Sequence, residues 1–286
     1  MSIQHYDRPD GSRIAFEVLG RGAPVLLVHG LGADRARWKA QVPVLTGRGY
    51  RVITLDLRGC GDSTSGVAVH GMREFVDDVL DCIDRLSLED LHLVGHSLGG
   101  MLCQLIALEL SDRIASLCLV STTSHNGQRA GAFAELMVRF SELGFDGVWN
   151  NAQHRAEAEL VLKAAFPGAK DPPIDLLRAG LEEPDAGRAN AWRACKGFSV
   201  KDRLAEISCP VMITHGVSDP LIPFRAGELI HEAIEGSQFF PEPGAGHSLP
   251  SSHAQSFNAR LLRHLSSARV DDDSDDDDED NPWAED

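Results

Sequence analysis

The chemistry in this chain gathers around one serine. Ser97 lies in Val94-Gly95-His96-Ser97-Leu98-Gly99-Gly100, between an apolar run (Leu91, Leu93, Val94) and a second one (Met101, Leu102, Leu105, Ile106, Leu108). That order fits a strand, a sharp turn and a helix, with the Ser97 hydroxyl at the apex. Gly95 and Gly99 have no Cβ, so the turn can take strained dihedrals and the strand and helix can approach closely. At a helix N-terminus, free N–H groups and the helix dipole favour negative charge developing beside that hydroxyl. A G-x-S-x-G pattern also describes ordinary loop serines. Its place between strand and helix is what points to a nucleophile.

A serine hydroxyl is a weak nucleophile and needs a base within hydrogen-bond reach, itself oriented by an acid. When a serine occupies such a strand-to-helix turn, the order along the chain is nucleophile, acid, histidine. Asp219 fits the acid, following the apolar run 211–214 in His215-Gly216-Val217-Ser218-Asp219-Pro220. The rival position, after residues 114–121, offers only Thr122, Thr123 and Ser124. His247 fits the base: it lies in Gly244-Ala245-Gly246-His247-Ser248, between the last expected strand and the last expected helix. The backbone N–H groups of Leu31 and Leu98 are the candidate oxyanion hole.

Eleven other histidines need other roles. His231, His253 and His264 fall in helical stretches and are expected at the surface. His29 and His96 flank the site as neighbours that hold loops by hydrogen bonds, and His215 is a weak competitor for the base. His29, Gly30, His96, Trp149 and Trp192 are the candidate substrate contacts, although core packing would serve the two tryptophans equally well.

These residues must be placed by the elements around them. Residues 3–6 and 13–19 are alternating runs separated by Arg8-Pro9-Asp10-Gly11, which predicts an opening hairpin. Residues 24–29 and 51–56 are nearly continuous apolar runs, as in strands covered on both faces. Residues 72–86 put Met72, Phe75, Val76, Val79, Ile83 and Leu86 on one helical face. Strands then alternate with helices to residue 121, which predicts a parallel sheet with right-handed crossovers. From 122 to 207 the rhythm breaks into helical stretches at 131–143, 156–166 and 174–181, too long for a loop and so read as an inserted cap. Its Arg129, Arg139, Arg155, Arg188 and Arg193 could meet a substrate carboxylate or form a solvated helix face. The sheet resumes at 211–216, with a helix near 225–234, a short strand at 238–240 and a closing helix from 252 to about 265. The resulting division is a core of 1–121 and 208–268, a helical cap of 122–207, and a tail of 269–286.

The net charge of −16 misdescribes the folded part of the chain. Residues 271–286 hold eleven acidic side chains and no basic one; the remainder carries 32 acidic against 27 basic, a net charge of −5. The tail has almost nothing apolar to bury and is expected to be disordered. No basic stripe suits nucleic-acid phosphates. Six cysteines are scattered without C-x-x-C pairs or zinc spacing, as small buried hydrophobes would be. The N-terminal residues are polar, and no window approaches 18 apolar residues. The expectation is a soluble cytoplasmic protein with no membrane segment, metal or cofactor.

His29-Gly30, Asp56-x-Arg58-Gly59-x-Gly61-x-Ser63, Gly95-His96-Ser97-Leu98-Gly99-Gly100-Met101, Asp219 and Gly246-His247 together resemble the α/β-hydrolase family, over roughly residues 15–125 and 205–265. Leu31-Gly32-x-Asp34-x-x-x-Trp38-x-x-Gln41 and Gly99-Gly100-Met101-x-x-Gln104 are most similar to the branch of 3-oxoadipate enol-lactonases, small carboxylesterases and cofactor-free haloperoxidases. The resemblance implies an α/β fold with a mostly parallel sheet, helices on both faces and a helical cap. It also implies hydrolysis of a small-molecule ester or lactone by Ser97, Asp219 and His247. Thioester cleavage, carbon-carbon hydrolysis and perhydrolysis use the same residues, and a non-catalytic binding scaffold is the alternative from another class. The cap matches no member residue by residue, so the resemblance does not fix the substrate.

Overall fold

The computed structural model describes residues 2–66, 69–165, 174, 178 and 181–268. Eight strands form one sheet: β1 (Gln4–Asp7), β2 (Arg13–Gly20), β3 (Pro24–Val28), β4 (Arg51–Leu55), β5 (Leu91–His96), β6 (Ile114–Val120), β7 (Val211–Gly216) and β8 (Gln238–Glu242). Their order is β1-β2-β4-β3-β5-β6-β7-β8. The hairpin β1-β2 and its junction with β4 are antiparallel, and every other pairing is parallel.

The apolar runs are continuous because both sheet faces are covered. Alternation of side chains sends Leu26, Val28, Leu93, Leu117 and Ile213 into one core and Val25, Leu27, Val94, Cys118 and Met212 into the other. The first core is covered by α2 (Met72–Arg85), α3 (Leu98–Glu109) and α7 (Phe224–Ala233). The second is covered by α1 (Val42–Gly47) and by the closing pair α8 (Leu249–Ser252) and α9 (Ala254–Ser267). The segment after β3 holds a short 3-10 turn, Arg35–Trp38, whose Trp38 is fully buried in the second core.

Between β6 and β7 lie α4 (Gln128–Trp149), α5 (Ala152–Ala165) and α6 (Ala186–Cys195). Helices α4 and α5, with Leu181, share a separate apolar cluster built on Phe140, Phe145, Val148 and Leu162. α4 runs longer than its sequence pattern suggests, but Gly144 breaks its helical geometry at φ 71°. Helix α6 carries little periodic signal, because its alanine-rich run shows only a weak apolar stripe. The stretch expected as a helix over 174–181 lies almost wholly outside the described residues, as does the acidic tail. Among the described residues, no helix is long and apolar enough to cross a membrane.

The topology fixes where chemistry can occur. The chain passes from β3 outward to β4, then crosses back to place β5 on the other side of β3. In such sheets the loops at the carboxyl ends of the two strands diverge and leave a crevice. The loop after β3 carries Leu31 and the turn after β5 carries Ser97, so both emerge at that crevice.

Candidate active site

The turn after β5 is strained at the serine. Ser97 has φ 55° and ψ −118°, a left-handed φ that a side chain rarely adopts. The surroundings leave it little choice. Its N–H donates to the Val120 carbonyl at 2.9 Å, and the Thr122 hydroxyl donates to its carbonyl at 2.7 Å. A Cβ at Gly99 would stand 2.2 Å from the Val28 carbonyl oxygen, and one at Gly95 would stand 2.4 Å from that of Gly99. Glycine at both positions lets α3 start hard against the sheet, which pushes Ser97 outward.

Three side chains from three loops then meet in line. His247 Nε2 is 2.9 Å from Ser97 Oγ, and His247 Nδ1 is 2.8 Å from Asp219 Oδ2. A carboxylate only accepts, so Nδ1 carries the proton and the bare Nε2 faces the serine hydroxyl. Asp219 is fully buried at its side chain, and its other oxygen accepts the N–H groups of Leu221 (2.8 Å) and Ile222 (3.0 Å). His215 lies against the same carboxylate at 3.6 Å but donates to the Ile222 carbonyl at 3.0 Å. Burial lowers its pKa, and it does not reach Ser97.

A cavity of about 150 Å³ opens at Ser97 and His247. Its walls include Leu31, Leu98 and Met101 from the core and Ala130, Phe133, Ala134, Trp192 and Cys195 from the helical insertion, with Leu221 and Ile222 from the Asp219 loop. Among the described residues, the N–H groups of Leu31 and Leu98 have no backbone acceptor, and Leu98, as the first residue of α3, has no intrahelical one. Both residues border the cavity beside Ser97. An electron-rich oxygen there would find donors, a base-linked hydroxyl and apolar walls, the set needed for attack on a carbonyl.

Several expected contacts lie elsewhere. Of the five candidate substrate contacts, only Trp192 is on this cavity wall. Trp149 stacks on Phe145 at 5.2 Å within the insertion's own cluster, because Gly144 turns the end of α4 away. His29 is fully buried; it accepts the Leu57 N–H at 2.9 Å and donates to the Gly30 carbonyl at 2.7 Å, clipping the ends of β3 and β4 together. Gly30 packs behind Ser97, where a Cβ would come 2.9 Å from that of the serine. His96 donates to the main-chain oxygen of His247. His264, expected at the surface, is 3% exposed because α9 turns it onto the sheet. The cap arginines Arg139, Arg155 and Arg193 pair with Glu157, Glu159 and Glu142 on the same insertion, as a solvated helix face does. Met101, Phe133 and Cys195 also line the cavity without being among the candidates; the spacing of Met101 one helical turn after Leu98 is a signal for it, whereas Phe133 and Cys195 carry none.

All six cysteines are free, and four are buried. Among the described residues, no group of three or more His, Cys, Asp or Glu side chains is placed to hold a metal ion.

The alpha/beta hydrolase fold family model matches residues 23–254. A Variovorax paradoxus protein named "Putative carbamate hydrolase RutD" is 30% identical over 265 residues, 87% of this chain and 93% of that protein. The bifunctional esterase/perhydrolase DCH of Acinetobacter calcoaceticus is 28% identical, over 90% of this chain and 98% of its own. Among solved structures, a thermophilic esterase from Thermogutta terrifontis superimposes with a TM-score of 0.74 at 27% identity, covering 94% of this chain and 99% of that one. The sheet order, the glycine-bounded turn at Ser97 and the extent of these matches lead to one assignment: this chain belongs to the alpha/beta hydrolase fold family.

Proposed function

We propose that this hydrolase cleaves a small carboxylic ester or lactone through an acyl-enzyme on Ser97. The observation that carries the reading is the continuous hydrogen-bonded line from Ser97 Oγ through His247 to buried Asp219 at the edge of an apolar cavity. In the first step Ser97 Oγ attacks the carbonyl carbon while His247 Nε2 takes the hydroxyl proton. The developing oxyanion is held by the N–H groups of Leu31 and Leu98. Collapse expels the alcohol, which takes its proton from His247; in a lactone the alcohol stays tethered to the acyl group. Water then attacks the acyl carbon as His247 accepts its proton, and the acid leaves with Ser97 restored. Asp219 keeps His247 in its Nδ1–H form and stabilises the imidazolium.

The substrate class follows from the walls. The cavity's described lining contains no Arg, Lys, Asp or Glu side chain, which favours a neutral acyl group, and a volume of about 150 Å³ favours a short one. A second reading, perhydrolysis with hydrogen peroxide replacing water in the second half, is supported by similarity to the Acinetobacter esterase/perhydrolase. The Variovorax relative's name adds carbamates to the carbonyl compounds to be assayed. The test is hydrolysis of p-nitrophenyl acetate and labelling by a fluorophosphonate, in the native chain and in Ser97→Ala. Both should disappear in the variant. Full turnover without Ser97 would overturn the assignment, and absence of labelling in the native chain would favour a non-catalytic binding scaffold.

A further inference from the structure

His96 precedes Ser97 in the chain and takes no part in the proton transfers above. Its ring is buried and is not part of the cavity wall, so it does not touch an acyl group held there. Its Nε2 lies 2.8 Å from the main-chain oxygen of His247. That oxygen can only accept, so Nε2 carries the ring proton and Nδ1 is bare. Among the described residues, Nδ1 has no hydrogen-bond partner, and a Cβ built on Gly30 would come within 3.1 Å of it. A second proton on Nδ1 would therefore be buried without a hydrogen-bond acceptor among the described residues. Burial, reinforced by His247 nearby, holds the ring neutral, with a pKa well below that of an ordinary histidine.

We infer that His96 is a positioning residue for the base, tying the main chain of His247 to the strand end that carries the nucleophile. The contacts close a small circuit. It runs from Ser97 Oγ to His247 Nε2 (2.9 Å), through that residue to its carbonyl, across 2.8 Å to His96 Nε2, and back to Ser97 through one peptide bond. The two imidazoles also lie 4.9 Å apart at 48°, so the His96 ring forms a wall beside the base. Gly244 and Gly246 leave the His247 loop few side chains of its own to fix it, and the bond from His96 supplies a fixed point at the residue that must be placed. Displacing a reacting group by about 1 Å costs on the order of a hundredfold in rate.

The inference rests on the proposed Ser97 mechanism, and the experiment separates the two. Wild type, His96→Leu, His96→Gln and Ser97→Ala are compared with p-nitrophenyl acetate, turnover being expressed per mole of folded protein and the rate of fluorophosphonate labelling being measured separately. Glutamine carries an amide nitrogen at the reach of Nε2 and can donate; leucine cannot. His96→Leu should lose about 10- to 100-fold in kcat and label correspondingly more slowly, with KM within about twofold of wild type, and His96→Gln should recover most of the loss. If His96→Leu does not fold, His96→Asn, whose shorter amide cannot reach the carbonyl, takes its place. The positioning role is overturned if the non-donating variant keeps kcat within about twofold, if glutamine rescues nothing, or if KM rises while kcat holds. Activity surviving in Ser97→Ala would instead remove the mechanism itself.

Discussion

Replacing Asp219 by asparagine tests the proposed mechanism most directly, because the fold should tolerate the change and the chemistry should not. The Asp219 side chain is fully buried, with one oxygen accepting the N–H groups of Leu221 and Ile222 and the other accepting from His247 Nδ1. Asparagine's carbonyl can keep the two backbone bonds, which turns its NH2 toward His247. A donor then faces Nδ1–H, and the imidazole relieves the clash by moving its proton to Nε2. That nitrogen is the one 2.9 Å from Ser97 Oγ, so it can no longer accept the hydroxyl proton. A wrong tautomer of this kind costs about 10⁴-fold in kcat, or about 5 kcal/mol of barrier. The assay is steady-state hydrolysis of p-nitrophenyl acetate alongside a thermal melt. The expected result is a kcat lower by about 10³- to 10⁴-fold with a melting temperature within a few degrees of wild type. A folded Asp219→Asn protein retaining a tenth of native turnover would refute the role of this carboxylate.

Three further perturbations follow from other parts of the molecule. Burial lowers the His264 pKa from 6.5 to about 4, so below pH 6.5 the unfolded chain binds a proton that the folded chain resists. Its contribution is therefore complete above pH 6.5 and falls with acid, by about 2 kcal/mol at pH 5; His29, His96 and His215, also lowered by burial, act in the same direction. Urea midpoints at pH 7 and pH 5 should show a smaller acid loss in His264→Leu than in wild type, and equal losses would sink the argument. Gly99→Ala would push a methyl to 2.2 Å from the Val28 carbonyl, so about 3 kcal/mol of stability, or roughly 6–12 °C in melting temperature, should be lost together with turnover; a normal melting curve would contradict the packing. Trp192→Ala removes a cavity wall and should shift preference toward longer acyl chains, by about fourfold in kcat/KM for each newly accommodated methylene. An unchanged acetate-to-hexanoate ratio would place the acyl group elsewhere.

The sequence determined by itself what depends on local pattern. Buried parallel strands announce themselves as continuous apolar runs, and a turn that must bend a serine outward announces itself by the glycines at 95 and 99. Asp219 and His247 stand out as candidates because each follows a strand, and strand ends in one parallel sheet share one edge. The tertiary structure decided what depends on contacts between distant segments. Phe133 and Trp192 stand 59 positions apart, yet their rings meet edge to face at 5.6 Å on one cavity wall; Trp149, equally plausible in sequence, packs on Phe145. His264 reads as an exposed helical polar residue, and only the docking of α9 on the sheet buries it. His96 reads as a neighbour that holds a loop by hydrogen bonds, while its partner, the backbone of His247 151 residues away, is set by the fold. Periodicity records which face of an element is buried, but it holds no record of what that face meets. The candidate residues could therefore be named from the sequence, whereas their alignment and the walls around them are properties of the assembled fold.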